Sequence, residues 1–173
     1  MLRELVLGAA GAVACVCAAS AHVTLETSSA PVGAPYKAVL RVPHGCEGSA
    51  TISVRVRIPD GMIAVKPMPK SGWKIDTVIG KYGKTYSYFH GAKLSEGVTE
   101  ISFSGGNLPD AYYDEFVFSG FLAGDLEPGA TVYVPVVQEC EKGVHRWIEI
   151  PAAGKSSRDY PEPAPALKLL PKP

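Results

Sequence analysis

Short runs of alternating apolar and polar residues, separated by glycines and prolines, constrain the fold of this chain most strongly. The clearest run is Thr51–Ile58, in which the apolar residues are Ile52, Val54, Val56 and Ile58. This period of two predicts a strand with those four on one face and Thr51, Ser53, Arg55 and Arg57 on the other. No stretch shows a sustained helical period, and the chain contains 18 glycines and 15 prolines. The pattern predicts an all-β sandwich of about 8–10 short strands.

The same alternation predicts further strands at close spacing. They are His22–Glu26, Tyr36–Val42, Ile63–Lys66, Trp73–Ile79, Thr85–His90, Thr99–Ser104, Glu115–Phe121, Thr131–Gln138 and Arg146–Ile150. Residues 152–173 are rich in proline and weakly apolar. This composition predicts an extended, poorly ordered tail in which Leu167–Leu170 can dock on a sheet.

Residues 1–21 have the features of a secretory signal peptide. Arg3 supplies a positive charge, Leu5–Ala18 is apolar, and Ala19-Ser20-Ala21 forms a small-residue cleavage site. We therefore predict a signal peptide at 1–21, a β-sandwich domain at 22–151, the tail at 152–173 and a periplasmic or secreted location. Removal of 21 of the 173 residues leaves 152, a length typical of one domain. A weak lipoprotein cleavage box before Cys15 is the alternative, and its use would make His22 internal.

The charge balance gives no reason to expect a polyanionic partner. The 17 basic and 17 acidic residues cancel, which argues against nucleic acid or an anionic membrane surface. No run of about 20 apolar residues follows residue 21, so we expect no membrane insertion once the signal peptide is removed.

The four cysteines divide into two pairs. Cys15 and Cys17 are lost with the signal peptide, while Cys46 and Cys140 remain in an oxidising compartment. These two predict one disulfide. The bond closes a loop of about 95 residues, for which the chain-entropy estimate is about 4–5 kcal/mol as an upper figure. The alternative, a cysteine pair that binds Cu(I), is weakened by the distance between the two in sequence and by the absence of a CxxC motif.

Cleavage after Ala21 makes His22 the first residue of the mature protein. A terminal histidine offers two nitrogen donors, the α-amine and the imidazole. The amine has an ordinary pKa of about 8, so a metal ion can displace its proton near neutral pH. Nitrogen donors of this kind favour Cu(II) among the common divalent ions. The alternative is that cleavage merely happens to fall before a histidine.

Other candidate ligands are distributed along the chain. If His22–Glu26 and Tyr36–Val42 pair as a hairpin, His22 lies opposite about Pro43 and His44 lies near the amino terminus. Met68 lies in a stiff proline-flanked segment and suits Cu(I), and Asp114 and Glu115 could supply a carboxylate. Each has a structural alternative: His44 as a turn residue, Met68 as a packing residue, and the two acids as turn contacts.

Motifs for catalysis are missing from the sequence. There is no GxSxG, no HExxH and no phosphate-binding loop motif. We therefore expect a protein that is not an enzyme. A copper monooxygenase is the alternative, because such enzymes also begin with a histidine, but they need a second histidine at the metal.

Five segments resemble the YcnI-like copper-binding domain family of bacterial secreted proteins. They are AHVTL at 21–25, RVPHGC at 41–46, VKPMPKSGW at 65–73, GGNLPDAYYDEF at 105–116 and PVVQECEKGVHRWIEIP at 135–151. The resemblance implies an immunoglobulin-like β-sandwich with Cu(II) bound at the mature amino terminus. Carried over by position, the histidine is His22 and the tryptophan close to the metal is Trp147.

The carboxylate that completes the family's site has no counterpart at the matching place. The segment before Gly72-Trp73 contains Met68 between two prolines and no acid. Candidates for the missing ligand are therefore collected from elsewhere, and they are Met68, His44, Glu26, Asp114 and Glu115.

The resemblance implies a Cu(II)-binding protein that sequesters, transports or delivers copper. A membrane copper transporter or an oxidase assembly factor is the expected partner. Trp147 would cover the ion and limit its contact with solvent. A copper monooxygenase and a metal-free interaction or adhesion sandwich are the alternatives.

Overall fold

A computed structural model describes residues 22–173, which form twelve strands in three sheets. The predicted signal peptide, with Cys15 and Cys17, lies outside the described residues. The strands are β1 (Thr24–Leu25), β2 (Ser29–Pro31), β3 (Pro35–Val42), β4 (Thr51–Arg57), β5 (Met62–Pro67), β6 (Lys74–Ser87), β7 (Lys93–Leu108), β8 (Asp114–Leu122), β9 (Thr131–Tyr133), β10 (Val136–Cys140), β11 (Val144–Trp147) and β12 (Ala166–Leu170). Two 3-10 turns occupy Phe89–Gly91 and Ser157–Asp159. Neither of these helical segments of residues 22–173 is long and apolar enough to cross a membrane.

Two antiparallel sheets enclose the core. The four-stranded sheet has the order β1-β3-β8-β5, and the five-stranded sheet has the order β11-β10-β4-β7-β6. Both contribute to one buried cluster, in which Leu40, Phe116 and Phe118 come from the first sheet and Val54, Ile101 and Phe103 from the second. All six are fully buried. The predicted all-β sandwich is confirmed.

The twelve strands differ from the predicted 8–10 because β2 and β12 were not predicted as strands and because two of the predicted boundaries are different. The segments Trp73–Ile79 and Thr85–His90, predicted as two strands, belong to the single strand β6 up to Ser87. The predicted strand Thr131–Gln138 is divided at Pro135, because β9 pairs with β12 while β10 pairs with β4 and β11. Pro135 has no N–H to donate to a ladder, so it suits the point where the chain changes sheets.

The alternation in β4 is interrupted at its first residues. Thr51 is fully buried while Ile52 is 36% exposed, so the prediction that placed Ile52 on the core face and Thr51 on the opposite face was wrong. The register against β7 shifts between Thr51 and Ser53. Such a shift reverses the face on which the neighbouring side chains lie. Val54, Val56 and Ile58 are buried as predicted.

The C-terminal segment contributes a strand to the fold. β12 lies between β2 and β9 in a three-stranded sheet, with Leu167 and Leu169 at most 1% exposed. The docking of Leu167–Leu170 is therefore observed, and Ala166–Leu170 is not the poorly ordered tail that its composition predicts. The proline-rich composition did not predict this strand, because its alternating apolar residues bury one face against neighbours that are distant in sequence.

The predicted disulfide is confirmed between Cys46 and Cys140, with their Cα atoms 5.9 Å apart. It joins the loop before β4 to the last residue of β10. Both sulfurs are used in this bond, so the oxidised pair is unavailable as a Cu(I) site.

Candidate metal centre

His22 lies two residues before the start of β1, the edge strand of the four-stranded sheet. β1 pairs with β3 through Thr24 with Arg41 and Leu25 with Leu40. Extending this antiparallel register places His22 opposite Pro43, as the hairpin argument predicts. The pairing brings the start of the domain to the loop that contains His44.

The ring of His22 contacts the indole of Trp147. The two ring centroids are 5.6 Å apart with the planes tilted by 55°. Trp147 is the last residue of β11 and is 3% exposed. The contact therefore joins the edge strand of one sheet to the edge strand of the other.

His145 shares the face of β11 with Trp147, as their spacing of two residues predicts. Its ring centroid lies 4.9 Å from that of Trp147, and the planes differ by only 31°. The ring of His44 lies edge-on to His145, with centroids 5.8 Å apart. Trp147 thus contacts both His22 and His145, and His145 in turn contacts His44.

A buried amide holds this group of rings in place. Gln138 is fully buried, and its Oε1 accepts a 2.9 Å hydrogen bond from Nε1 of Trp147. Its Nε2 donates to the carbonyl of His44 at 2.7 Å and to Oγ1 of Thr51 at 2.8 Å. Because an indole N–H only donates, the amide oxygen must face Trp147. Gln138 was not predicted from the sequence. A glutamine at an inward-facing position between Val136 and Cys140 is nevertheless a signal of a buried polar contact.

Glu162 orients His145. Its Oε1 lies 2.7 Å from Nδ1 of His145, and its Oε2 accepts from the backbone N–H of Arg146 at 2.9 Å. When Nδ1 carries the proton it donates to this carboxylate, and Nε2 then has the lone pair. Glu162 lies in the segment predicted to be poorly ordered, so sequence reasoning had no basis for placing it here.

The structure does not bring Asp114 and Glu115 together with His22. Asp114 pairs with Nζ of Lys70 at 2.7 Å, and Glu115 lies 3.7 Å from Nε of Arg41. Arg41 also binds Glu26 at 3.0 Å. Since β8 is two strands from β1 in the sheet order, its backbone lies about 10 Å from that of β1. The acidic candidates of this sheet therefore already have cationic partners, Arg41 on β3 and Lys70 in the loop after β5.

Met68 lies at the opposite edge of the same sheet from His22. It follows β5 directly, and its N–H donates to the carbonyl of Val117. Three strand spacings separate β5 from β1, which is about 14 Å. The side chain is 49% exposed. The structure therefore does not place the Met68 thioether beside His22.

Two open hollows flank His22. One lies between the start of β1 and the segment 163–166, and the other is lined by Ser157–Pro161. Among residues 22–173, no three side chains of the types His, Cys, Asp and Glu converge closely enough to hold a metal ion. A metal site at His22 would therefore need a donor besides such side chains, and the α-amine of a mature terminus fits this requirement.

Comparisons with known proteins agree with this fold. An uncharacterized protein from Nocardia farcinica with an immunoglobulin-like fold is 24% identical to the chain, with a TM-score of 0.61, and the match covers 86% of this chain and 98% of that one. The fold is thus immunoglobulin-like. No curated protein matches the chain. The family model described as "Domain of unknown function (DUF1775)" matches residues 22–169. YcnI-like domains are part of this family, so the match agrees with the resemblance seen in the sequence. With most of its length covered by that match, the chain belongs to the DUF1775 family.

Proposed function

We propose that this protein binds Cu(II) as cargo through the α-amine and imidazole of His22, outside the cytoplasm, and sequesters or delivers it. The observation that carries the proposal is the contact between His22 and the buried Trp147, at a 5.6 Å centroid distance beside two open hollows. A terminal histidine clamps an ion with one residue, so the absence of a convergent side-chain cluster within residues 22–173 is compatible with binding.

Trp147 is suited to cover the ion rather than to coordinate it. Its Nε1–H is donated to Gln138, and an indole nitrogen is a donor only, because its lone pair is part of the aromatic ring. The buried ring lies against the imidazole of His22 and excludes water from that side. Restricted solvent access limits redox cycling of a bound copper ion.

Open positions around His22 favour a carrier over an enzyme. A carrier must release its ion to a partner, and the two open hollows that His22 lines leave room for an incoming ligand. We propose a membrane copper transporter or an oxidase assembly factor as that partner. A copper monooxygenase instead requires a second histidine nitrogen on the metal.

Electron paramagnetic resonance tests the terminal chelate. One equivalent of Cu(II) is added to protein whose terminus has been verified as His22, and to a variant with one alanine before it. We expect a type 2 spectrum with two nitrogen couplings that is lost in the extended variant. His90→Ala is the matched control, because His90 lies in the 3-10 turn Phe89–Gly91. An unchanged spectrum in the extended variant would contradict the proposal, and three nitrogen couplings would favour the monooxygenase.

A further inference from the structure

A turn near the carboxyl terminus lies beside His22, although the two are more than 130 residues apart in sequence. This turn, Ser156–Pro161, is called here the C-terminal arm. Its residues Ser157, Arg158, Asp159, Tyr160 and Pro161 line one hollow together with His22. The lining of the hollow therefore includes one histidine, one arginine and one aspartate.

The C-terminal arm is held by its own hydrogen bonds. The Oγ of Ser156 accepts from the N–H of Arg158 at 3.2 Å, and Oδ2 of Asp159 accepts from the N–H of Ser156 at 2.8 Å. The hydroxyl of Tyr160 accepts from the N–H of Ala152 at 3.0 Å. These bonds hold the carboxylate of Asp159 through one oxygen, and a carboxylate has a second oxygen with its own lone pairs.

The chain that leaves the arm is tied to the strand that carries Trp147. Glu162 binds His145 at 2.7 Å and the N–H of Arg146 at 2.9 Å. The N–H of Glu162 donates in turn to Oε2 of Glu149 at 2.7 Å. Glu162 follows the C-terminal arm directly and binds β11, the strand that contains Trp147. The same residue therefore fixes the arm relative to Trp147.

Asp159 is the best donor among the acidic and phenolic groups near His22. Both oxygens of Glu162 are already bonded, to His145 and Arg146. The Tyr160 oxygen already accepts from the N–H of Ala152. Asp159 instead offers a negative charge that complements a divalent ion held by two neutral nitrogens.

We infer that Asp159 of the C-terminal arm supplies the third ligand of the ion bound at His22. This inference rests on the proposed function. Arg158 lines the same hollow and repels a cation, so it opposes binding while Asp159 promotes it. The two neighbouring residues therefore have effects of opposite sign on copper affinity.

Substitution of Asp159 tests the inference through copper affinity and spectroscopy. Asp159→Asn keeps an oxygen that can accept from Ser156, so it removes the charge while preserving the turn. We expect Cu(II) affinity, measured by competition with a chelator, to fall by about 10- to 100-fold, the range seen even for residues one contact away from a metal. The paramagnetic resonance spectrum should shift while retaining its nitrogen couplings. Arg158→Gln should tighten binding.

The control is Asp76→Asn, the same chemical change on β6. Asp76 and its partner Lys74 are both exposed. β6 lies four strand spacings, or about 19 Å, from β11. Asp76→Asn should therefore leave Cu(II) affinity unchanged. Hydrogen exchange gives a second readout: Cu(II) should slow exchange of the arm's amides in the parent protein and not in Asp159→Asn.

The outcomes separate the inference from the proposed function. If an added alanine before His22 abolishes binding while Asp159→Asn and Asp76→Asn behave alike, the arm is not a ligand and the terminal chelate stands. Unslowed exchange in the arm on copper binding would equally overturn the inference. If the added alanine changes nothing, the proposed function itself fails.

Discussion

Trp147 and Gln138 are joined by a 2.9 Å hydrogen bond from the indole N–H to the amide oxygen. Gln138 lies on β10 and Trp147 on β11, where Val136 is the strand partner of Trp147. The amide also holds the carbonyl of His44 and the hydroxyl of Thr51. One buried side chain therefore ties the ring beneath His22 to the loop that contains His44.

Replacement of Gln138 by leucine should destabilise the protein by about 3 kcal/mol. Leucine has a similar volume, but it leaves the buried N–H of Trp147 without its acceptor and removes the hydrogen bonds to the carbonyl of His44 and to Oγ1 of Thr51. An unsatisfied buried group costs about 1–3 kcal/mol, and each lost hydrogen bond adds about 1 kcal/mol. Urea unfolding measures the loss. Glu139→Gln is the control, because it alters only a half-exposed pair with Arg55, worth about 0–1 kcal/mol. Equal losses in the two variants would contradict the structural role of Gln138.

Copper binding should quench the fluorescence of Trp147 and spare that of Trp73. Bound Cu(II) is paramagnetic and acts at short range, and Trp147 contacts His22. Trp73 packs on Phe116 directly before β6, at the opposite edge of the five-stranded sheet from β11. Titration of Trp73→Phe, which leaves Trp147, should show strong quenching, and Trp147→Phe should show little. Equal quenching in both variants would place the copper elsewhere.

Leu169→Ala should cost about 2–5 kcal/mol, as is typical for a buried leucine. Leu169 is 1% exposed in β12 and belongs to the main core cluster. Its neighbour Leu170 is 41% exposed, so Leu170→Ala should change stability by only about 0.5 kcal/mol. Thermal or urea unfolding compares the two. Similar small effects would mean that β12 is not part of the stable fold in solution.

Stability should fall in alkaline solution because of Tyr36. Burial raises the pKa of Tyr36 to about 12, and its hydroxyl donates to the carbonyl of Thr27 at 2.7 Å. An unfolded tyrosine has a pKa of about 10, so the unfolded chain loses this proton first as pH rises. The contribution of Tyr36 to the free energy of unfolding is complete below about pH 10. It is lost between about pH 10 and 12, and the total loss is about 2–3 kcal/mol.

Tyr36→Phe should therefore flatten the dependence of unfolding free energy on pH in this interval. Some slope should remain, since burial also raises the pKa of Tyr82 and Tyr86. Urea unfolding at several pH values from 9 to 12 gives the comparison. An identical slope in the variant and the parent would show that Tyr36 titrates normally in the folded protein.

Removal of the disulfide should lower stability by up to about 4–5 kcal/mol. Cys46 and Cys140 are separated by 94 residues, and the entropy lost by the unfolded chain grows with loop length. The double variant Cys46→Ala with Cys140→Ala should unfold at lower urea concentration than the oxidised parent. A reductant should shift the parent toward the double variant and leave the variant itself unchanged. A parent that does not respond to reduction under unfolding conditions would argue that the bond is absent.

The sequence by itself determined the class of fold and part of the candidate site. The alternation in Thr51–Ile58 is a local property of side chains, so it identifies a strand without knowledge of its neighbours. The predicted antiparallel pairing of the first strand with Tyr36–Val42 is observed, through Thr24 with Arg41 and Leu25 with Leu40. Two cysteines allow one intramolecular connectivity, so the disulfide was also predictable.

Tertiary structure alone decided which residues surround His22. Gln138 bonds to Trp147 from β10, Glu162 bonds to His145 from the C-terminal segment, and Asp159 of that same segment lines a hollow with His22; no local period connects any of them to His22. The C-terminal segment that contains Asp159 is followed by β12, which buries Leu167 and Leu169 against distant strands. Burial of apolar surface between remote segments is a property of the whole chain, so the neighbours of His22 could be read only from the folded molecule.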